Sequence, residues 1–365
     1  MSDTRAGDIQ AEATGTAGPN TVTRSGPQNQ RGAKHAMTGQ AGGRRKRGDK
    51  NAVVPDAEFT SYYGRPILKA SPWERDIPAY LFLGGLAAGS SLLGAGADLT
   101  GRTAMRRTGR LGGMIAILAS FAALVHDLGK PSRFVHMLRV AKPTSPMSVG
   151  TWIVTVYGPL AGLAGAAELR GLLPARLAWV GRLLGAAARP AGLAAAVVAP
   201  AVASYTAVLL SDTATPTWHD AHGQLPFVFV GSASAASGGL AMIGSAVAEA
   251  GPARRLAVGG AVLELVAEAV MERAMGLTAE PLHSGAAGRL MRISKALTLA
   301  GTAGTVLVGR RSRLGAALSG AALLGGSACL RFAVFDAGQE SARDPKYVVI
   351  PQRERIAARS VNASP

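Results

Sequence analysis

The stretch PAYLFLGGLAAGSSLLGAGADL, Pro78 to Leu99, decides the fold class of this chain. It stays apolar over roughly 20 residues, the length that carries an α-helix across a bilayer core. Comparable runs recur as far as Phe335, and the charged residues gather in the connectors between them. Hydrocarbon offers no water to hydrogen-bond the backbone, so each run must satisfy its own amides and carbonyls as a helix. The pattern predicts an all-α integral membrane protein, a polytopic bundle of about eight transmembrane helices.

Working outward from Pro78–Leu99, the expected spans are Leu111–Leu128, Val149–Leu173, Ala191–Leu210, Leu225–Ala250, Leu256–Met275, Leu290–Val308 and Leu314–Phe335. The segment Ala175–Ala188 sets Arg176 and Arg182 among Leu, Trp and Val, the pattern of a separate amphipathic helix lying along the interface. Residues 1–70 read as a disordered, basic N-terminal tail, rich in Gly, Ser, Thr, Gln and charge and carrying the Arg44-Arg45-Lys46-Arg47 cluster. Residues 71–340 hold the membrane domain, and 341–365 read as a polar C-terminal tail. No secretory signal is legible, because the first apolar run begins too late and is too long.

Composition narrows the chemistry. Apolar residues make up 48% of the 365 positions and charged residues only 17%, with Ala, Gly and Leu filling the spans. Small side chains let helix backbones approach closely where lipid removes the hydrophobic drive between helices. The net charge of +17 lies in the N-terminal tail and at span ends, where Lys and Arg meet lipid headgroups, so nucleic acid is not an expected partner. A single cysteine, Cys329, excludes a disulfide framework and an all-cysteine iron–sulfur cluster within the chain. Haem ligation of the cytochrome b kind needs axial histidine pairs inside spans, and only His126 lies near one. Phosphate-binding loops, dinucleotide fingerprints and metal-ligand spacings are missing. Electrons would have to enter from a cofactor on another chain.

Lys and Arg are shared almost evenly between the two faces, which leaves the orientation open. The faces differ in another way. The one bearing both termini collects the long, sequence-rich loops, as expected of a partner platform or ligand mouth.

Four constellations could carry chemistry. In the first, Trp73-Glu74-Arg75-Asp76 leads into Tyr80, Gly84, Gly85 and Gly89. Asp76 is costly beside hydrocarbon unless it is paired or at work; the glycines suit either close helix packing or room for a flat ring. In the second, His126-Asp127 closes span two. A histidine there can pass protons to a redox ligand, while Asp127 can equally pair with Arg133 or Lys130. The third runs from Ser204-Tyr205-Thr206 to Trp218-His219. The fourth is Glu264 and Glu268, one turn apart within a span and therefore candidates for a proton path. Lys295 or Arg292 could instead hold one of them in a static pair, and Glu249 and Glu272 have Arg254, Arg255 and Arg273 within reach in sequence.

The motifs HDLGKPSRFVHML (His126–Leu138), SPMSVGTW (Ser145–Trp152), SYTAVLLSDTATPTW (Ser204–Trp218) and LPFVFVGSASAASGG (Leu225–Gly239) resemble those of the NrfD/PsrC family. PAYLFLGGLAAGSSLL (Pro78–Leu93) and DPKYVVIPQR (Asp344–Arg353) fit as well. The family comprises membrane subunits of polysulfide-reductase-type molybdoenzyme complexes. The resemblance implies a haem-free bundle, without an iron–sulfur cluster of its own, that binds menaquinone or ubiquinone in the bacterial plasma membrane. It would anchor a ferredoxin-like iron–sulfur subunit that exchanges electrons with a molybdopterin catalytic subunit. Formate is the expected substrate among formate, polysulfide, thiosulfate and dimethyl sulfoxide. In the family the quinone site lies in the first four spans, and here that region supplies Asp76, Tyr80, His126, Asp127 and Tyr205. This sequence has no Asn/His pair in span one, so the exact quinone ligands stay open. Lys130, Arg133, Arg343 and Lys346 offer charge to an acidic partner surface. A proton-conducting subunit without quinone turnover and a secondary transporter are the alternatives.

Overall fold

The computed structural model describes residues 66–130 and 132–362. The Arg44–Arg47 cluster and most of the expected tail lie outside the described residues.

Every long element among the described residues is a helix. In chain order they are α1 (Asp76–Leu99), α2 (Thr103–Asp127), α3 (Arg133–Met137), α4 (Pro146–Glu168), α5 (Ala178–Ser211), α6 (Pro216–Asp220), α7 (Leu225–Gly244), α8 (Gly251–Met275), α9 (Glu280–His283), α10 (Gly285–Leu307), α11 (Arg313–Arg343) and α12 (Lys346–Asn362). Helices α1, α2, α4, α7, α11 and α5 with its preceding turn are long and apolar enough to cross a bilayer. Helices α8 and α10, 25 and 23 residues long, occupy the places of the sixth and seventh expected spans. They fall short on composition rather than length: α8 carries Arg254, Arg255, Glu264, Glu268, Glu272 and Arg273, and α10 carries Arg289, Arg292 and Lys295.

Helix α7 is central and packs against α1, α5, α8 and α11; α1 also packs on α2 and α5, and α10 on α11. Small residues make these contacts possible. A Cβ on Gly109 would sit 2.7 Å from the backbone of Gly94, and one on Gly239 would sit 2.6 Å from the carbonyl oxygen of Gly320. At both crossings backbone meets backbone, the close approach that stabilises helix pairs in lipid.

Helices α2, α8, α10 and α11 outrun their apolar runs because polar residues at span ends continue the helix, whereas α4 stops at Glu168 and α7 at Gly244, short of the expected Leu173 and Ala250. Helix α11 extends two turns past Phe335 to Arg343, and the C-terminal segment expected as a polar tail carries α12. The largest departure is at α5. The expected interfacial helix and span four are one continuous helix of 34 residues, with Pro190 and Pro200 inside it. At about 1.5 Å per residue it is about 50 Å long, well beyond a bilayer core of about 30 Å. Its first turns, bearing Trp179 and Arg182, therefore project beyond the spanning part.

Alternation of direction sorts the helix ends into two faces. On one, the starts of α1, α4, α7 and α10 meet the ends of α2, α5, α8 and α11. This is the loop-rich face. It is tied across the bundle: the Gln339 amide donates to the carbonyls of Ser71 (3.2 Å) and Trp73 (3.3 Å), and Thr217 Oγ1 donates to the Thr278 carbonyl (2.8 Å). The far face is held by charge. Arg110, only 6% exposed, lies 2.9 Å from Glu168 and 3.3 Å from Asp98; Arg106 and Arg189 join the same cluster. Glu249, expected beside Arg254 or Arg255, instead accepts from the amides of Ala104 (2.9 Å) and Met105 (3.3 Å) at the start of α2. Those amides have no partner within their helix, and a carboxylate is the best group to meet them. Arg313 donates to the carbonyls of Met242, Ile243 and Ser245, closing the end of α7 in the same way.

Candidate functional site

The start of α1 and the end of α2 meet on the loop-rich face, bringing Asp76 to His126 across 50 positions of sequence. His126 Nδ1 and Asp76 Oδ2 are 2.7 Å apart. Asp127 Oδ1 accepts from the backbone amide of Glu74 at 3.4 Å. This corrects the pairing with Arg133 or Lys130: Arg133 turns back to the Leu128 carbonyl at 3.4 Å, and Lys130 is exposed. With Nδ1 donating to Asp76, the carboxylate fixes the orientation of an imidazole whose side chain is 81% exposed. The pair is thus a proton donor and acceptor at the end of two helices.

Asp76 also lines a cleft of about 710 Å³, formed by Trp73–Asp76, the first turn of α10 and the end of α11. Ser71, Phe335, Asp336, Gln339, Glu340 and Arg343 complete its wall. The cleft is thus bounded by α1, α10 and α11 and not by the first four spans alone. Beneath it Trp73 stacks on Trp218 (ring centres 6.0 Å apart), and Trp218 lies 5.5 Å from Phe335. Trp218 is fully buried and donates from Nε1 to the Val334 carbonyl at 2.8 Å. The loop between α5 and α7 therefore folds into the bundle as a plug, with α6 at its tip.

The other expected residues are distributed. Tyr80 lies one turn inward from Asp76 on α1, buried in the apolar core. Tyr205 lies against Gly150 of α4, and its hydroxyl is buried without a hydrogen-bond partner. Of the two roles open to the glycines of α1, packing is the one observed. A Cβ on Gly89 would come within 2.2 Å of Ser237 Oγ, and one on Gly85 within 3.1 Å of Ala233 Cβ. Gly84 faces Ser120 at an ordinary 3.6 Å.

Glu264 and Glu268 are both buried, and they are held by different residues of α10. Thr298 donates to Glu264 at 3.1 Å. Lys295 Nζ lies 3.3 Å from Glu268 and 3.0 Å from Glu272, with His283 3.8 Å from Glu272. Lys295, not Arg292, makes the pair with α8. On the other side lies Arg331, 1% exposed; it is the one charged residue within the apolar run Leu314–Phe335, and that alone marks it in the sequence as costly in a span. Its guanidinium covers the Phe229 ring at 3.8 Å and donates to the Phe229 carbonyl at 2.8 Å. Arg331 Nε and Nη1 and one oxygen of Glu264 remain without hydrogen-bond partners.

Among the basic residues expected to face a partner, Lys130, Arg133 and Arg343 are exposed. Lys346 is half-buried and engaged: its hydrogen bond to Glu280, at 2.9 Å, holds the ammonium above the usual lysine range.

A family model described as Polysulphide reductase, NrfD matches residues 68–267, more than half of the chain. The chain belongs to the NrfD family. No curated protein matches it. NrfD proteins are membrane subunits of oxidoreductase complexes, and this NrfD chain is a multi-pass membrane protein. The matched region contains Asp76, His126, Asp127, Tyr205, Glu264 and the plug; α10, α11 and α12 follow it.

Proposed function

We propose that this chain is the quinone-reactive anchor of a molybdenum or tungsten oxidoreductase complex, of the formate dehydrogenase kind, in a bacterial plasma membrane. In this reading all eight long helices cross the bilayer. A ferredoxin-like iron–sulfur subunit sits on the loop-rich face, near Lys130, Arg133 and Arg343, and exchanges electrons with a molybdopterin subunit. The observation that carries the reading is the Asp76–His126 pair beside a cleft of about 710 Å³. The residues there suit a quinone headgroup: Trp73 and Phe335 offer flat apolar walls, and Gln339 and Asp76 offer polar groups at the rim.

A quinone takes up two electrons and two protons on reduction, so acid–base groups must meet its carbonyls. His126 presents its other ring nitrogen as the transferring atom. Asp76 orients the ring through Nδ1 and stabilises the imidazolium until the proton is replaced from solvent. Tyr80 and Trp73 exclude water on the bundle side. The test is His126→Ala and Asp76→Asn in the assembled complex. Quinone-linked turnover should fall at least tenfold, equivalent to about 1.4 kcal/mol in the barrier, while electron transfer to artificial dyes survives. Full quinone turnover in both variants would move the site elsewhere.

A second reading has one observation in its favour: the buried Glu264 and Arg331, each with unmet hydrogen-bonding capacity, at the middle of the helix bundle. Buried polar atoms of this kind commonly hold internal water, and a chain of such groups can move protons. Glu264→Gln and Glu268→Gln should lower proton movement per quinone turnover in proteoliposomes. Unchanged stoichiometry in both would leave these carboxylates with a packing role alone.

A further inference from the structure

On the far face, α8 begins beside the end of α10, and the groove between them encloses about 510 Å³. Arg254 and Arg255 enter it from the first turn of α8 and Arg310 from just beyond α10; Val258, Thr305 and Val306, with Gly251 and Gly259, form the rest of the wall. No carboxylate lines it. Among the described residues, none of the three guanidinium groups is ion-paired with Asp or Glu. Glu249, the nearest acidic residue in sequence, is engaged at the start of α2. Arg254 is fixed by donating to the Val247 carbonyl at 2.8 Å. Two of these cations also sit at a helix start, where the dipole disfavours positive charge. Three like charges in one groove call for an anion.

What lies beside the cations specifies the anion further. Val258, Val262, Val266 and Val270 follow one another at four-residue spacing, one ridge of α8 leading away from the groove. Val262, Val266 and Val270 are 53%, 58% and 47% exposed, and Val306 on α10 is 56% exposed. A basic pocket at a span end with an apolar ridge beneath it matches a molecule that is anionic at one end and hydrocarbon at the other. We propose that this groove seats an anionic glycerophospholipid. Its phosphate meets Arg254, Arg255 and Arg310, and an acyl chain lies along the valine ridge. A zwitterionic lipid would bring an ammonium group toward three arginines, and a free phosphate would leave the ridge unused. The seat requires α8 and α10 to cross the bilayer; it does not depend on quinone chemistry at the opposite face.

The test is native mass spectrometry of the full chain in detergent, titrated separately with phosphatidylglycerol, phosphatidylcholine and inorganic phosphate. Phosphatidylglycerol should bind at least fivefold more tightly than phosphatidylcholine, and Arg254→Gln with Arg310→Gln should abolish that preference. Because Arg254 also bonds the Val247 carbonyl, Arg310→Gln alone is the safeguard against misfolding, and it should weaken phosphatidylglycerol at least threefold at an unchanged thermal midpoint. Val262→Ser with Val266→Ser should weaken both lipids together. Equal affinity for the two lipids would overturn the proposal. So would displacement of phosphatidylglycerol by millimolar inorganic phosphate, which would make the groove a site for a free anion.

Discussion

Arg110→Met isolates the contribution of the far-face charge cluster to the fold. Methionine keeps the length and most of the volume of arginine, so the loss is one of charge and hydrogen bonds, with little cavity. Arg110 is 6% exposed and bridges Glu168 at 2.9 Å and Asp98 at 3.3 Å, which joins α2 to α4 and to α1. Removing one partner of a buried ion pair costs about 3–5 kcal/mol, because the remaining charge stays buried. Arg106 and Arg189 still reach the two carboxylates, but their side chains are 32% and 66% exposed, and pairs of that kind stabilise by only about 0.2–1 kcal/mol. The net loss is therefore about 2–4 kcal/mol, a fall in thermal midpoint on the order of 5–10 °C. Thermal unfolding of the full chain in detergent, followed by tryptophan fluorescence, measures it. Adding Asp98→Asn and Glu168→Gln removes the orphaned charges and should recover most of the loss. A shift for Arg110→Met below about 1 °C, or a triple variant no better than the single one, would refute the reasoning.

Gly89→Val should destabilise the contact between α1 and α7, because the new Cβ falls within 2.2 Å of Ser237 Oγ and 2.7 Å of Ser237 Cβ. Gly84→Ala, with its nearest neighbour at 3.6 Å, should keep the parent midpoint in the same thermal assay. Equal effects of the two would mean that α1 does not pack on α7 through Gly89. Glu249→Ala leaves the amides of Ala104 and Met105 unmet and should cost about 1 kcal/mol, the usual cost of a lost helix cap. Hydrogen exchange confined to the first turn of α2 reads that loss directly, and unchanged protection there would count against the cap.

Hydrophobic periodicity by itself determined the all-helical membrane class and the position of each long helix. The reason is local: a run of roughly 20 apolar residues has one stable form in hydrocarbon, whatever its neighbours do. The same locality misplaced the ends, since charged residues continue a helix without adding to its apolar run, as in α11 from Phe335 to Arg343. It also split α5 at Arg189-Pro190, which the helix simply crosses. Of the candidate site, Asp76 and His126 were legible because each lies at a span end on the same face, which an alternating topology brings together. Their 2.7 Å contact was decided only by the packing of α1 on α2. Glu268 was visible as a buried carboxylate, but its choice of Lys295 over Arg292 depends on which side of α10 turns toward α8. Nothing local marks Glu168 or Glu249 as anchors, or Trp218 as a plug, because their partners lie between 58 and 145 positions away. Burial in a membrane bundle is set by helix neighbours, and only the tertiary structure chose those neighbours.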